Sequence, residues 1–389
     1  MLNRLLNLKN TDHYSFFLWG PRQTGKSTLL RTSFPKALTY NLLNSDIFSR
    51  FMQRPALLRE EVLAHFHLFP NAEKLVVIDE VQKIPSLTDE VHLLIEEHGI
   101  RFCLCGSSAR KLKRFHANML GGRAIRLELR GLVYPEIHDI FDLSKVINRG
   151  ILPSHYLSDQ TKDLIPGYVG DYLKEEIAAE GLVRNLPAFA TFLHAASFSD
   201  SEILVYKNIA SDCGVSLNTV RSYFEILEDT LIGRKLESYT ARPKRKVIHA
   251  PKFYYFNVAL VNYLAKRGEL QIGSKEFGKA FENWIFHELS SYQQYSKKDL
   301  GLRYWRLADS GLEVDFVLGD LDVAIEVKSS ERLQSSDLKG LRELAKEHPS
   351  SKRKYFVVSR ESKPRLTEDG ILILPYQMFL EKLWANEIF

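Results

Sequence analysis

Continuous apolar runs stand out first along the chain: Phe16-Phe17-Leu18-Trp19, Leu75-Val76-Val77-Ile78 and Phe102-Cys103-Leu104-Cys105. Runs without polar alternation are the pattern of parallel strands buried on both faces. Beyond about Leu157 the strand-like runs give way to helical spacing. Val205 to Asp212 reads as one helix, Cys213-Gly214-Val215 as a turn, and Ser216 as the cap of a second helix running toward Asp229. From about Gly273 a second mixed pattern begins. Phe277 to Tyr292 has helical spacing, followed by strands around Tyr304, at Val314–Val317 and at Ala324–Lys328, then a polar helix and the strand Tyr355–Val358. The expectation is an α/β chain of three domains: 1–157, a helical and winged-helix region over 158–272, and a second α/β domain over 273–389. The leucine-rich start, Met1 to Asn10, reads as a short docking helix, and no stretch approaches the length that crosses a bilayer.

The first apolar run drops into Gly20-Pro21-Arg22-Gln23-Thr24-Gly25-Lys26-Ser27, the G-x-x-x-x-G-K-S pattern of a phosphate cradle. Gly20 and Gly25 let backbone N–H groups turn toward phosphates, and the helix beginning near Lys26 adds its positive end there. Lys26 would reach the β- and γ-phosphates of ATP, with Thr28 beside it. Ser27 would offer its hydroxyl to Mg²⁺. The second run ends in Asp79-Glu80, which places Asp79 to hold hydrated Mg²⁺ and Glu80 to orient the attacking water. The third run leads into Gly106-Ser107-Ser108, where Ser107 or Ser108 would sense the γ-phosphate. Arg123, on the glycine loop after Leu120, is the candidate to reach a neighbouring subunit's nucleotide; Arg110 and Arg114 are weaker candidates for that role.

The C-terminal pattern carries a second constellation, Glu282, Asp315, Glu326 and Lys328. In Glu326-Val327-Lys328 the two-residue period of a strand sends Glu326 and Lys328 to one face and Val327 to the other. Asp315 and Glu326 would hold Mg²⁺ with the Val327 carbonyl, Lys328 would steer a water or hydroxide, and Glu282 would order the outer shell or a second ion. The order helix, three strands, helix, strand resembles the PD-(D/E)XK nuclease core.

Charge and composition change the picture little. The formal charge of +5 over 389 residues suits either an anionic partner or an ordinary solvated surface. Locally, Arg242, Lys244, Arg245 and Lys246 cluster where a wing would be, whereas the second helix of the pair presents Asn218, Arg221, Glu225, Glu228 and Asp229, an acidic balance that suits phosphates poorly. The basic cluster is therefore the DNA-binding candidate. Cys103, Cys105 and Cys213 form no paired framework or metal-ligand spacing and read as small hydrophobes in a reducing, cytoplasmic setting.

The whole chain resembles the prokaryotic AAA+ ATPases fused to a C-terminal PD-(D/E)XK-like domain. The resemblance runs through GPRQTGKSTLL, VVIDEVQKIP, CGSSARKLKR, LGGRAIRLEL, LVRNLPAFA, YFEILEDTL, PKFYYFNVAL and GLEVDFVL. One departure is Asn257, where relatives often carry aspartate. The resemblance implies ATP and Mg²⁺ as cofactors, with Mn²⁺ as an alternative at the nuclease-like site. It also implies a homo-oligomeric ring such as a hexamer, in which Arg123 acts in trans. The leading expectation is an ATP-driven, Mg²⁺-dependent DNA nuclease acting on branched or single-stranded DNA in repair or recombination. The alternatives are a nucleotide-switched DNA- or protein-binding assembly module without cleavage, and a DNA motor.

Overall fold

The computed structural model describes residues 2–389 except 9, 10, 12, 109–119, 179–182, 241–246 and 351. The chain divides into two compact units, Met1–Gly131 with Asp229–Leu231, and Leu132–Glu228 with Ile232–Phe389.

In the first unit the apolar runs become strands of one parallel sheet. They are β1 (Ser15–Trp19), β2 (Leu38–Asn41), β3 (Leu75–Asp79), β4 (Arg101–Gly106) and β5 (Ala124–Glu128), in the order β2-β3-β4-β1-β5. Phe16, Phe17, Leu18, Val76, Ile78, Phe102 and Leu104 are all buried, so both faces of the central strands are covered, as continuous apolar runs require. Trp19 pairs with Gly106 and Asp79 with Cys105, which brings the C-terminal ends of β1, β3 and β4 to one edge. That edge is where an open α/β sheet presents its ligand site.

The leucine-rich start is not a docking helix. Residues 2–8 carry no helical turn. Leu6 and Leu8 are buried at a spacing of two, the period of an extended chain, and Arg4 ties the segment down by donating to the carbonyls of Thr24, Arg130 (2.7 Å) and Gly131 (3.2 Å).

The second unit begins with a helical region. The helices Tyr206–Cys213 and Leu217–Asp229 are joined through Gly214 at φ 62°, and Ser216 Oγ accepts from Thr219 N at 3.1 Å as the cap. This is the helix pair expected from the sequence, and its buried face (Val220, Phe224, Leu227) packs with Phe189 and Phe192 of the helix Leu186–Ser197. A small antiparallel sheet closes this core: β6 (Glu202–Ile203), β7 (Gly233–Leu236) and β8 (Lys252–Tyr255), ordered β6-β8-β7. The Phe253 ring stands edge-on to Phe224, 4.8 Å away.

The C-terminal sheet contains β9 (Arg303–Arg306), β10 (Glu313–Leu318), β11 (Val323–Lys328), β12 (Lys354–Ser359), β13 (Arg365–Leu366) and β14 (Ile371–Pro375), ordered β13-β14-β12-β11-β10-β9. The β9-β10-β11 part is antiparallel and β11-β12-β14 is parallel. The long helix Lys275–Ser296 is capped by Ser274 Oγ, which accepts from Phe277 N at 3.1 Å. Phe277, Phe281, Trp284, Ile285, Leu289 and Tyr292 form its buried stripe at helical spacing. The helix Lys339–Glu347 approaches β10 so closely that a Cβ on Gly340 would lie 1.9 Å from the Glu313 carbonyl oxygen. The fold is thus α/β, with a parallel-sheet P-loop core, a helical middle and a C-terminal sheet domain.

Candidate functional site

The phosphate loop is shaped by close approach and by left-handed backbone. A Cβ on Gly20 would sit 2.3 Å from the Leu129 carbonyl oxygen, Gln23 has φ 62° and Gly25 φ 93°. Gly25 stands immediately before the helix Lys26–Ser33, where a side chain would be strained. Lys26 is buried; its Nζ donates to the carbonyls of Gly20 (2.7 Å) and Pro21 (3.0 Å). A cavity of about 220 Å³ is lined by Gln23, Gly25, Lys26, Ser27, Thr28 and Glu80, with Arg22 and Leu43. Ser27 Oγ donates to Asp79 Oδ2 at 2.7 Å, joining the loop to the end of β3. The hydroxyl and carboxylate expected around hydrated Mg²⁺ therefore already converge beside the loop, and this donor set fits a hard, oxygen-seeking cation.

Glu80 turns away from the strand at φ 59°, a conformation that costs a non-glycine residue energy and gathers at functional sites. Gln82, which lies within VVIDEVQKIP but has no role predicted from the sequence, is almost fully buried. Its Nε2 donates to Glu80 Oε2 (2.6 Å) and to Ser107 Oγ (3.3 Å). Ser107 is thus joined to the Glu80 carboxylate. Ser108 points elsewhere, with its Oγ donating to the Asp229 carbonyl at 3.2 Å. Gly106 makes room for Gln82, because a Cβ there would lie 2.2 Å from Gln82 Oε1. Behind the site Cys103 and Cys105 are buried, and desolvation, reinforced by the Asp79 charge, pushes their thiols up so that they remain protonated.

Arg123 is exposed, and its Nε is ion-paired with Glu96. Arg110 and Arg114, and the basic cluster Arg242, Lys244, Arg245 and Lys246, lie outside the described residues. On the second helix of the pair, Asn218, Arg221 and Glu225 are exposed, whereas Glu228 is half-buried and pairs with Lys235 Nζ at 2.6 Å. Asn257 serves the fold: its Oδ1 accepts from Ala259 N at 3.2 Å and caps the helix Val258–Leu264.

Residues 12–138 match a family described as an AAA domain. The first unit contains an AAA ATPase module. Residues 140–271 match a domain of unknown function, DUF8612, and residues 277–379 match another, DUF4143. No curated protein matches the chain. Similar solved structures include the ORC1 protein of Aeropyrum pernix in complex with DNA, at 13% identity and a TM-score of 0.24 over 65% of this chain and 86% of that one. Another is a Signal Transduction ATPase with Numerous Domains from Pyrococcus horikoshii, with a tetratricopeptide repeat sensor, at 13% identity and a TM-score of 0.25 over 77% of this chain. This chain spans 48% of that protein's length. The match covers the loop, Asp79 and Glu80; the C-terminal carboxylates lie beyond it.

Those carboxylates do converge. Asp315 lies where the β9–β10 register shifts between Val314 and Val317. Its Oδ2 accepts from Val327 N at 2.8 Å, and Glu326 Oε1 pairs with Lys328 Nζ at 2.5 Å. Glu282 Oε1 accepts from Tyr254 Oη at 2.7 Å and from Lys252 Nζ at 3.0 Å. Lys252, Tyr254 and Glu313 are additional members; they lie within PKFYYFNVAL and GLEVDFVL, but the sequence assigns them no role there. Burial pushes the Glu326 carboxyl up, with Asp315 adding to the effect. Burial pulls Lys328 down, but Glu326 and Asp315 outweigh it and hold its ammonium above the usual range. Among the described residues, no group of three or more His, Cys, Asp or Glu side chains is arranged to hold a metal ion. The cluster does not fit the expected metal centre, because Lys252 stands among its acidic oxygens.

Proposed function

We propose that this chain is an Mg²⁺-dependent ATPase whose nucleotide cycle switches a DNA-binding homo-oligomer, with a C-terminal domain that binds rather than cuts. The observation that carries this reading is the Ser27–Asp79 contact beside the phosphate loop, with Glu80 held by Gln82 at the same sheet edge. Bound Mg²⁺ would offset phosphate charge as it develops. Ser27 and Asp79 are the residues to hold it. Lys26 would leave the Gly20 and Pro21 carbonyls for the β- and γ-phosphates. Glu80 would orient a water and take its proton as the water oxygen bonds the γ-phosphorus and ADP leaves. Ser107, joined to Glu80 through Gln82, is the γ-phosphate sensor of choice over Ser108.

In this reading Arg123 exchanges Glu96 for a neighbour's nucleotide in a head-to-tail ring, and the basic run Arg242–Lys246 meets DNA phosphates. Working domain borders are 1–157, 158–272 and 273–389. A second reading, Mg²⁺- or Mn²⁺-dependent DNA cleavage, is favoured by the convergence of Glu282, Asp315, Glu326 and Lys328. The test is to incubate the purified full chain with ATP, Mg²⁺ and labelled linear, forked or four-way DNA, with Asp315→Ala in parallel. The proposal expects ATP turnover with intact DNA; cutting that vanishes in Asp315→Ala would replace it with the nuclease reading.

A further inference from the structure

The residue that decides the C-terminal cluster comes from outside the C-terminal sheet. β8 is buried along its whole length, and its alternation divides its side chains between two cores. Phe253 and Tyr255 join the helical core containing Phe224. Lys252 and Tyr254 face the other way, toward the helix Lys275–Ser296 and β10. The Tyr254 ring stacks on Phe286 at 4.1 Å. Lys252, only 2% exposed, points its ammonium at three carboxylates: Glu282 Oε1 at 3.0 Å, Asp315 Oδ1 at 3.6 Å, and Glu313 Oε1 in direct contact.

Three acceptors match the three donors of an ammonium group. Most of the remaining oxygens are also assigned, although Glu326 Oε2 is buried without a hydrogen-bond partner. Glu313 Oε2 pairs with Arg306 Nη1 at 2.9 Å, Asp315 Oδ2 takes the Val327 N–H, and Glu326 Oε1 takes Lys328. An isolated ammonium would not persist at this depth; these carboxylates give it its partners, and it gives them theirs.

We infer that Lys252 is the resident cation of the carboxylate cluster, standing where Glu282, Glu313 and Asp315 would otherwise share a divalent ion. The cluster is a joint that fastens the three-stranded sheet to the C-terminal domain. A divalent ion would have to enter beside a buried positive charge and displace oxygens already committed to it. This rests on the non-cleaving reading above and supplies its physical cause.

The test uses the full chain without nucleotide, so that the phosphate loop contributes little metal binding. Mn²⁺ uptake is followed by electron paramagnetic resonance in wild type, Lys252→Met, Asp315→Asn and the double variant. Expected is no tight uptake by wild type, about one Mn²⁺ per chain gained by Lys252→Met, and its loss in the double variant. Uptake by wild type that disappears in Asp315→Asn overturns the inference, and so does a folded Lys252→Met that takes up nothing. Should Lys252→Met fail to fold, the wild-type measurement still decides. ATP turnover and DNA integrity, measured in the same preparations, separate the two failures. Mn²⁺ uptake by wild type that is lost in Asp315→Asn, with active ATPase and intact DNA, removes only the lysine inference, whereas metal-dependent cutting removes the non-cleaving reading as well.

Discussion

Gln82 Nε2 donates to Glu80 Oε2 at 2.6 Å, while its other reach, 3.3 Å, ends on Ser107 Oγ. The amide links the carboxylate proposed to orient water with the hydroxyl proposed to sense the γ-phosphate. Removing it leaves both groups present but less well aimed. Gln82→Leu should lower kcat roughly 10- to 100-fold with little change in KM, since misplacement penalises the reacting geometry more than ground-state binding. Steady-state phosphate release checks this. A change confined to KM would assign Gln82 to binding instead. Gly106→Ala, whose Cβ would meet Gln82 Oε1 at 2.2 Å, should reproduce the kcat loss.

Arg4 reaches from the start of the chain to the carbonyl of Thr24 inside the phosphate loop and to those of Arg130 and Gly131. Hydrogen bonds from a charged donor are among the stronger ones. Arg4→Ala should therefore loosen the loop and weaken ATP binding about 10-fold. Isothermal titration with a non-hydrolysable ATP analogue reads this directly, and an unchanged Kd would limit Arg4 to packing.

Buried Asp200 gives the second unit a pH dependence of definite sign. Its Oδ1 accepts from Tyr255 N (2.9 Å) and Asn283 Nδ2 (2.6 Å), yet burial pushes its carboxyl up to about 7, from 3.8. A carboxyl whose folded pKa is raised stabilises the fold while protonated. That contribution is complete below pH 3.8 and is lost as pH rises through about 7. Asp200→Asn keeps the accepting oxygen without the charge. It should be more stable than wild type at pH 8 by on the order of 3 kcal/mol, with the difference shrinking toward pH 5. Urea unfolding at the two pH values tests this; an equal offset at both would exclude Asp200 as the titrating group.

What was legible in the sequence was whatever sits close along the chain. Gly20 to Ser27, Asp79-Glu80 and Glu326-Val327-Lys328 declare themselves because one turn or one strand places their residues together. The helix pair around Gly214 was readable for the same reason. Gln82 was missed although it lies within VVIDEVQKIP, because its spacing suggests no chemistry; its role depends on contact with Ser107, 25 positions away. Lys252 was missed more completely, since it meets Glu282 across 30 positions and lies on β8, a strand that the sequence pattern did not reveal. The start of the chain misled because leucines at a spacing of two can pass for a helix when Arg4 has no visible partner. β14 went unread because Ile371-Leu372-Ile373-Leu374 follows a polar stretch with no periodic lead-in.

The central claim, hydrolysis of ATP at the sheet edge formed by β1, β3 and β4, is tested most directly by phosphate release from Mg²⁺-ATP, comparing wild type with Glu80→Gln. Expected is Mg²⁺-dependent turnover by wild type and a loss of about 100-fold or more in Glu80→Gln, which still binds ATP. Equal rates in the two proteins would contradict the assignment of Glu80 and the site built around it.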